Sequence, residues 1–142
     1  MSHAGFRLMR ETNYSNPMEW EERLFFTEMM DKDISDLTSG KFRDPGKPNG
    51  THPIFLLRVV ERGVFRFCPC STKEYNGNRA SYIRRNARTT PHGLRVDKDS
   101  YILHFLSFNL ASFSPLVDRL PLLGRVDESD IVGDFHKERS GR

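Results

Sequence analysis

The chain has 142 residues, with 37% hydrophobic and 29% charged residues, a formal charge of +3 and a pI near 9.0. That length suits one domain with a real core, and eleven phenylalanines exclude a chain too poor in aromatics to fold. Every apolar run is interrupted by Arg, Pro or Ser well short of the roughly 18 residues a membrane span needs. Met1–Arg10 has no apolar stretch of the secretory-signal type, so the composition predicts a soluble, cytoplasmic protein with no membrane partner.

Residues 1–15 carry no clear period and read as a frayed arm. Asn16 suits a cap, Pro17 a first helical position, and Glu19 stands three residues after the cap. Trp20, Leu24, Phe25, Met29 and Met30 then form an apolar stripe that predicts a helix from Pro17 to about Met30. Asp31 to Thr51 is polar, and Asp44 to Gly50 (DPGKPNG) reads as a long loop. Ile54–Val60 (IFLLRVV), nearly all apolar, predicts a buried strand. Glu61-Arg62-Gly63 connects it to a second strand through Val64, Phe65, Phe67 and Cys68, with Pro69 ending regular pairing.

Ala80–Arg84 reads as a short strand between the turn signals Asn76-Gly77 and Pro91-His92-Gly93. Ser100–Phe108 (SYILHFLSF) predicts a third long strand, with His104 as a core histidine. Ser114-Pro115 opens a short helix holding Leu116, Val117 and Leu120, and Gly124 breaks the chain. Asp127 caps a last helix whose apolar face is Ile131, Val132 and Phe135. Such segregation predicts an α+β fold: a small antiparallel barrel with flanking short helices and an extra N-terminal helix. The domain reading is an N-terminal arm and helical extension over 1–40, a barrel domain over 41–136 and a polar tail over 137–142.

Cys68 and Cys70 are the only cysteines. Their spacing disfavours a bridge between them, and no zinc-finger spacing follows, so they read as reduced thiols. No P-loop, GxGxxG, HExxH, CxxC or GxSxG motif is present. Between Glu74 and Asp97 no acid occurs, while five arginines do: Arg79, Arg84, Arg85, Arg88 and Arg95. Arg79, Arg84, Arg85 and Arg88, with Tyr75 and Tyr82 interleaved, suit single-stranded RNA. Guanidinium forks match phosphates, and tyrosine rings stack on bases. The alternative is an ordinary basic loop paired with carboxylates elsewhere.

A further pattern lies in the order of the segments. Gly50-Thr51-His52-Pro53 ends a loop and runs straight into IFLLRVV; the next strand ends in Pro69-Cys70-Ser71-Thr72; DKDSYILHFLSFNL (Asp97–Leu110) leads to GRVDESDIV (Gly124–Val132). From about Lys41 to Phe135 this resembles the PemK/MazF family of toxin endoribonucleases. The resemblance implies an SH3-like barrel, a homodimer that binds RNA across its subunits, and an antitoxin protein as partner. It also implies cleavage without metal or cofactor, the 2′-hydroxyl attacking its own phosphate. His52, where the family has Arg, and Ser71 with Thr72, at the family's Pro-x-Thr corner, are the candidates for proton transfer or substrate orientation. LSFNL lacks the Arg that several members carry near this point. Two readings from other classes stay open: a barrel module that binds nucleic acid or a protein without cutting, and a Cys–His enzyme using Cys70, His52 and His92.

Overall fold

A computed structural model describes residues 14–73 and 81–133. Among the described residues nine strands pair antiparallel: β1 (Leu24–Met30), β2 (Thr51–Glu61), β3 (Val64–Ser71), β4 (Tyr82–Ile83), β5 (Thr89–Thr90), β6 (Ser100–Ile102), β7 (Phe108–Ala111), β8 (Leu122–Val126) and β9 (Ile131–Val132). Their order is β5-β8-β1-β2-β3-β6-β4-β9, with β7 beside β3. A short helix, α1 (Asp31–Leu37), and several 3-10 turns lie between them. The result is a curled antiparallel half-barrel, which meets the expected small α+β barrel at that level. No helix among the described residues is long and apolar enough to cross a membrane.

Successive residues of the central strands feed two separate cores, because side chains alternate faces along a strand. Leu24, Phe26, Ile54, Leu56, Phe65 and Phe67 enter an outer core covered by Trp20, Ile34, Phe42, Leu106 and Val117. Phe25, Phe55, Leu57, Cys68 and Cys70 enter the other. That second core also takes Val126 of β8 and Ile131 of β9, from opposite ends of the strand order, so it lies inside the curl. Ile54–Leu57 is apolar at consecutive positions because β2 is buried there on both faces, whereas Val59 and Val60, expected in the same buried run, are exposed toward the hairpin end.

The helix expected over Pro17–Met30 is not formed. Asn16 does cap, accepting from the Met18 N–H at 3.1 Å with Pro17 in first position, but the 3-10 turn ends at Glu19. Leu24–Met30 is a strand held between β8 and β2. Leu24, Phe25 and Phe26 are all buried and serve both cores, a demand that a helix with one apolar stripe does not meet. A bulge between Phe26 and Met29 puts Thr27 and Glu28 in solvent and returns Met29 to the outer core. The bulge therefore imitates helical spacing. The described helix falls instead at the start of the polar stretch Asp31–Thr51, where no element is expected: Asp31 and Asp33 occupy its first turn, where the helix dipole favours anions, and Ile34 anchors it.

Three further expectations change. Pairing does not end at Pro69, which stands opposite Ile54 and accepts from the Leu103 N–H at 3.0 Å. Its missing N–H falls where the neighbour of β3 changes from β7 to β6. Ser100–Phe108 is not one strand. From Cys70 to Phe67 β3 advances three residues, while from Ile102 to Phe108 the facing chain advances six. The excess coils into the 3-10 turn His104–Leu106, where His104 is half-buried. Gly124 does not break the chain but sits at a bulge within β8, opposite Phe25, with φ +151°.

The Ser114 and Asp127 caps are formed, each accepting from the N–H two residues on. Both open 3-10 turns, and Asp127 leads into β9 rather than a helix carrying Ile131 and Val132. Phe135 lies outside the described residues. Hydrogen bonds from the Ser129 hydroxyl and N–H hold the Asp127 carboxyl below its ordinary value.

A Cβ at Gly124 would stand 2.6 Å from the Thr90 carbonyl oxygen and 2.5 Å from Thr89 Oγ1. Gly124→Ala is expected to lower stability by about 2–4 kcal/mol through clash and backbone strain together. At Gly46, with φ +80° and open space around it, alanine should cost only about 1 kcal/mol. Urea midpoints of the two variants check the contrast.

Candidate functional site

The loop entering β2 and the end of β3 meet at one end of the sheet around a groove of about 780 Å³. Lys47, His52, Ser71, Thr72, Lys73, Lys98 and Ser100 line it. The β2–β3 ladder brings the three catalytic candidates together: two residues beyond the pair Ile54 and Pro69, each strand reaches His52 and Ser71 respectively. Thr72 follows, exposed.

His52 is held from behind. β1 runs directly into α1, so the pairing of Met29 with His52 and Met30 with Thr51 brings Asp31 beside the histidine. The Asp31 N–H donates to the Gly50 carbonyl at 2.9 Å. Its side chain, 4% exposed, accepts from His52 Nδ1 at 2.6 Å. The Phe42 ring meets the imidazole edge-on, with centroids 5.1 Å apart. Donation from Nδ1 fixes the tautomer and leaves Nε2 as the basic nitrogen of the neutral ring. The His52 side chain is 26% exposed, so its open part is what lines the groove. Gly50 completes the clasp: a Cβ there would stand 2.6 Å from Asp31 Oδ2.

The groove is electropositive. Lys47, Lys73 and Lys98 are exposed, and among the described residues none of them is ion-paired and no carboxylate lines the groove. Ser71 is buried, and its Oγ accepts from the Lys73 N–H at 3.1 Å, which shapes the turn and leaves the hydroxyl proton to donate. Among the described residues no cluster of His, Cys, Asp and Glu could hold a metal ion. Burial, and secondarily the neighbouring Cys68, push the Cys70 thiol well above its ordinary value. A nucleophilic cysteine needs the opposite shift. His92 lines a different cavity with Trp20 and Pro91, so Cys70, His52 and His92 do not form one site.

The basic segment divides. Arg79 lies outside the described residues, as does Tyr75. Arg84 is tied to Asp130 through both its guanidinium and its backbone N–H, and that hydrogen bond and charge hold it more firmly protonated. At this position the ordinary pairing of a basic loop with a carboxylate is what forms. The Arg85 N–H donates to Asp99 at 2.8 Å, while its side chain is exposed. Arg88 is exposed and stands opposite Arg95 in an antiparallel bridge. None of Arg84, Arg85 and Arg88 lines the groove. Tyr82 stands opposite Tyr101, with ring centroids 5.1 Å apart at 45°.

Sequence reasoning missed Asp31, Gly50, the three lysines and Tyr101. Asp31 leaves a trace as the first acid after an apolar run. The lysines sit in three separate loops and converge only through topology. The chain matches no protein-family model, no curated protein and no solved structure.

Both cysteines are buried and neither is in a disulfide, so Ellman's reagent should find no reactive thiol in the native protein and two after unfolding in guanidinium. With the native Cys70 pKa raised, the unfolded chain loses that proton first. Stability is then full below the ordinary thiol range and falls as pH rises above it, by up to about 1.4 kcal/mol per pH unit. Melting between pH 7.5 and 10 should show a steeper decline for the wild type than for Cys70→Ala. Gly50→Ala should displace the Asp31 carboxylate, and 15N NMR of the His52 ring should then show a mixture of tautomers instead of one.

Proposed function

We propose that this chain is a PemK/MazF-like protein that binds single-stranded RNA and cuts it without metal, with the His52 groove as its centre. The observation that carries this reading is the imidazole fixed by a buried carboxylate and facing a groove lined by three lysines that no described residue pairs. RNA supplies its own nucleophile, so the protein needs a base, cations for the crowded phosphate and a proton for the leaving oxygen.

In this mechanism His52 Nε2 takes the proton of the 2′-hydroxyl. O2′ attacks phosphorus, the bond from phosphorus to O5′ breaks, and a lysine ammonium delivers a proton to O5′. The products are a 2′,3′-cyclic phosphate and a 5′-hydroxyl. Asp31 holds the ring and stabilises the imidazolium that forms. Lys47, Lys73 and Lys98 oppose the charge on the phosphate oxygens, and the Ser71 hydroxyl orients the substrate. His52 in place of the family Arg thus provides a base where the family pattern has a fixed cation. The finer description as an SH3-like barrel, with a homodimer, an antitoxin partner and a cytoplasmic setting, belongs to the same proposal. Arg85 and Arg88 steer the strand from outside the groove.

The test is incubation of a long single-stranded RNA with purified protein in EDTA. Discrete fragments with cyclic-phosphate ends are expected. His52→Ala should lower the rate by about 100-fold or more. Asp31→Asn should reduce kcat and leave KM nearly unchanged. Replacing Lys47, Lys73 and Lys98 together by Ala should weaken binding across sequences alike and reduce the salt slope by about two. Intact but retarded RNA would leave a barrel module that binds without cutting, and RNA neither cut nor retarded would overturn the proposal.

A further inference from the structure

Residues directly opposite one another in an antiparallel ladder project to the same face. Pairing partners continue from the groove across the sheet in one line: His52 leads by register to Ser71, Ser71 stands opposite Tyr101, Tyr101 opposite Tyr82, and Tyr82 opposite Val132. Strands lie about 4.8 Å apart, so Tyr101 is one spacing from Ser71 and Tyr82 about 10 Å away.

We propose that Tyr101 and Tyr82 form a shelf on which a base of the RNA stacks as the strand enters the His52 groove. The inference rests on the RNA reading above and deepens it. The two rings contact each other at 5.1 Å and are half-buried, which leaves each ring partly open to solvent. Neither phenol hydroxyl has a protein hydrogen-bond partner among the described residues. Val132, 38% exposed, extends the shelf by one strand. The opposite faces of the same strands are anchored: Ile102, Ile83 and Ile131 are all buried in the inner core. Rigid strands thus hold both rings at a fixed distance from the base and hydroxyl of the groove, which is what a positioning subsite requires. Every nucleobase offers a π-face, so the shelf contributes affinity with little sequence preference. The four paired residues of this line, Ser71, Tyr101, Tyr82 and Val132, are themselves uncharged, and Arg84, whose charge reaches Tyr82, is engaged by Asp130.

The experiment uses the full chain and a single-stranded 2′-O-methyl RNA, which lacks the attacking hydroxyl, carrying 2-aminopurine at every third position. Binding by the wild type should quench 2-aminopurine fluorescence. Tyr82→Leu keeps an apolar side chain of similar bulk, and it should weaken binding about 10- to 100-fold and remove most of the quench. Tyr82→Phe should retain both, and Tyr101→Phe likewise. Against an RNA abasic at every position, wild type and Tyr82→Leu should bind alike. Wild-type binding with unchanged affinity and quench in Tyr82→Leu would overturn the shelf and leave the RNA reading standing. Loss of binding in Tyr82→Phe would overturn it too, by assigning the contact to the hydroxyl. No binding by the wild type would remove the RNA reading, and the shelf with it.

Discussion

Burial of β1, β2 and β3 on both faces is the constraint from which the remaining architecture follows. A sheet covered on one side needs only one partner layer. Here Phe26, Ile54, Leu56, Phe65 and Phe67 must be covered on the outside, and Phe25, Phe55, Leu57, Cys68 and Cys70 on the inside. The sheet meets the inner demand by curling until Ile83, Val126 and Ile131 close over it. It meets the outer one with single anchors from irregular segments, chiefly Trp20, Phe42, Leu106 and Val117. Trp20 is central there, within 4.9–6.3 Å of Phe26, Phe65 and Phe67 by ring centroid.

The same constraint positions the site. Strands buried on both faces are rigid, and the groove is built where β2 begins and β3 ends, at the last rungs before the chain leaves the sheet. His52 is therefore fixed by the ladder on one side and by Asp31 on the other. The lysines, by contrast, come from connections: Lys47 from the loop before β2, Lys73 just past β3 and Lys98 just before β6. A fixed proton acceptor surrounded by adaptable cations suits a substrate whose phosphates vary in conformation from one sequence to the next.

What was legible in the chain was local. The strand IFLLRVV and the hairpin after it could be read because consecutive apolar residues such as Ile54–Leu57 have few alternatives to a doubly buried strand, although the run's end at Val59 and Val60 is exposed. The caps at Asn16, Ser114 and Asp127 could be read because a side chain two residues from its donor needs no tertiary context. Leu24–Met30 misled because a bulge reproduces helical spacing. Ser100–Phe108 misled because three residues of an apolar run coil out without changing its composition. The arginine cluster drew attention because it is contiguous, yet Arg84 is taken up by Asp130, forty-six positions away. Asp31 and the lysines escaped notice for the same reason: proximity across loops leaves no periodic mark.

The clasp between Asp31 and Gly50 has a further meaning for how such a protein diverges. Everything between them forms an excursion whose two ends are fastened to adjacent rungs of one ladder. Its first part is anchored, since Ile34 and Phe42 are buried, but Arg43 to Asn49 is exposed throughout. Residues can be added or removed there without shifting the histidine or its carboxylate, and each change alters how far Lys47 reaches over the groove. The fold thus separates a part that chemistry holds constant from a part that selection can lengthen, shorten or recharge. Related chains would be expected to differ most in that short stretch.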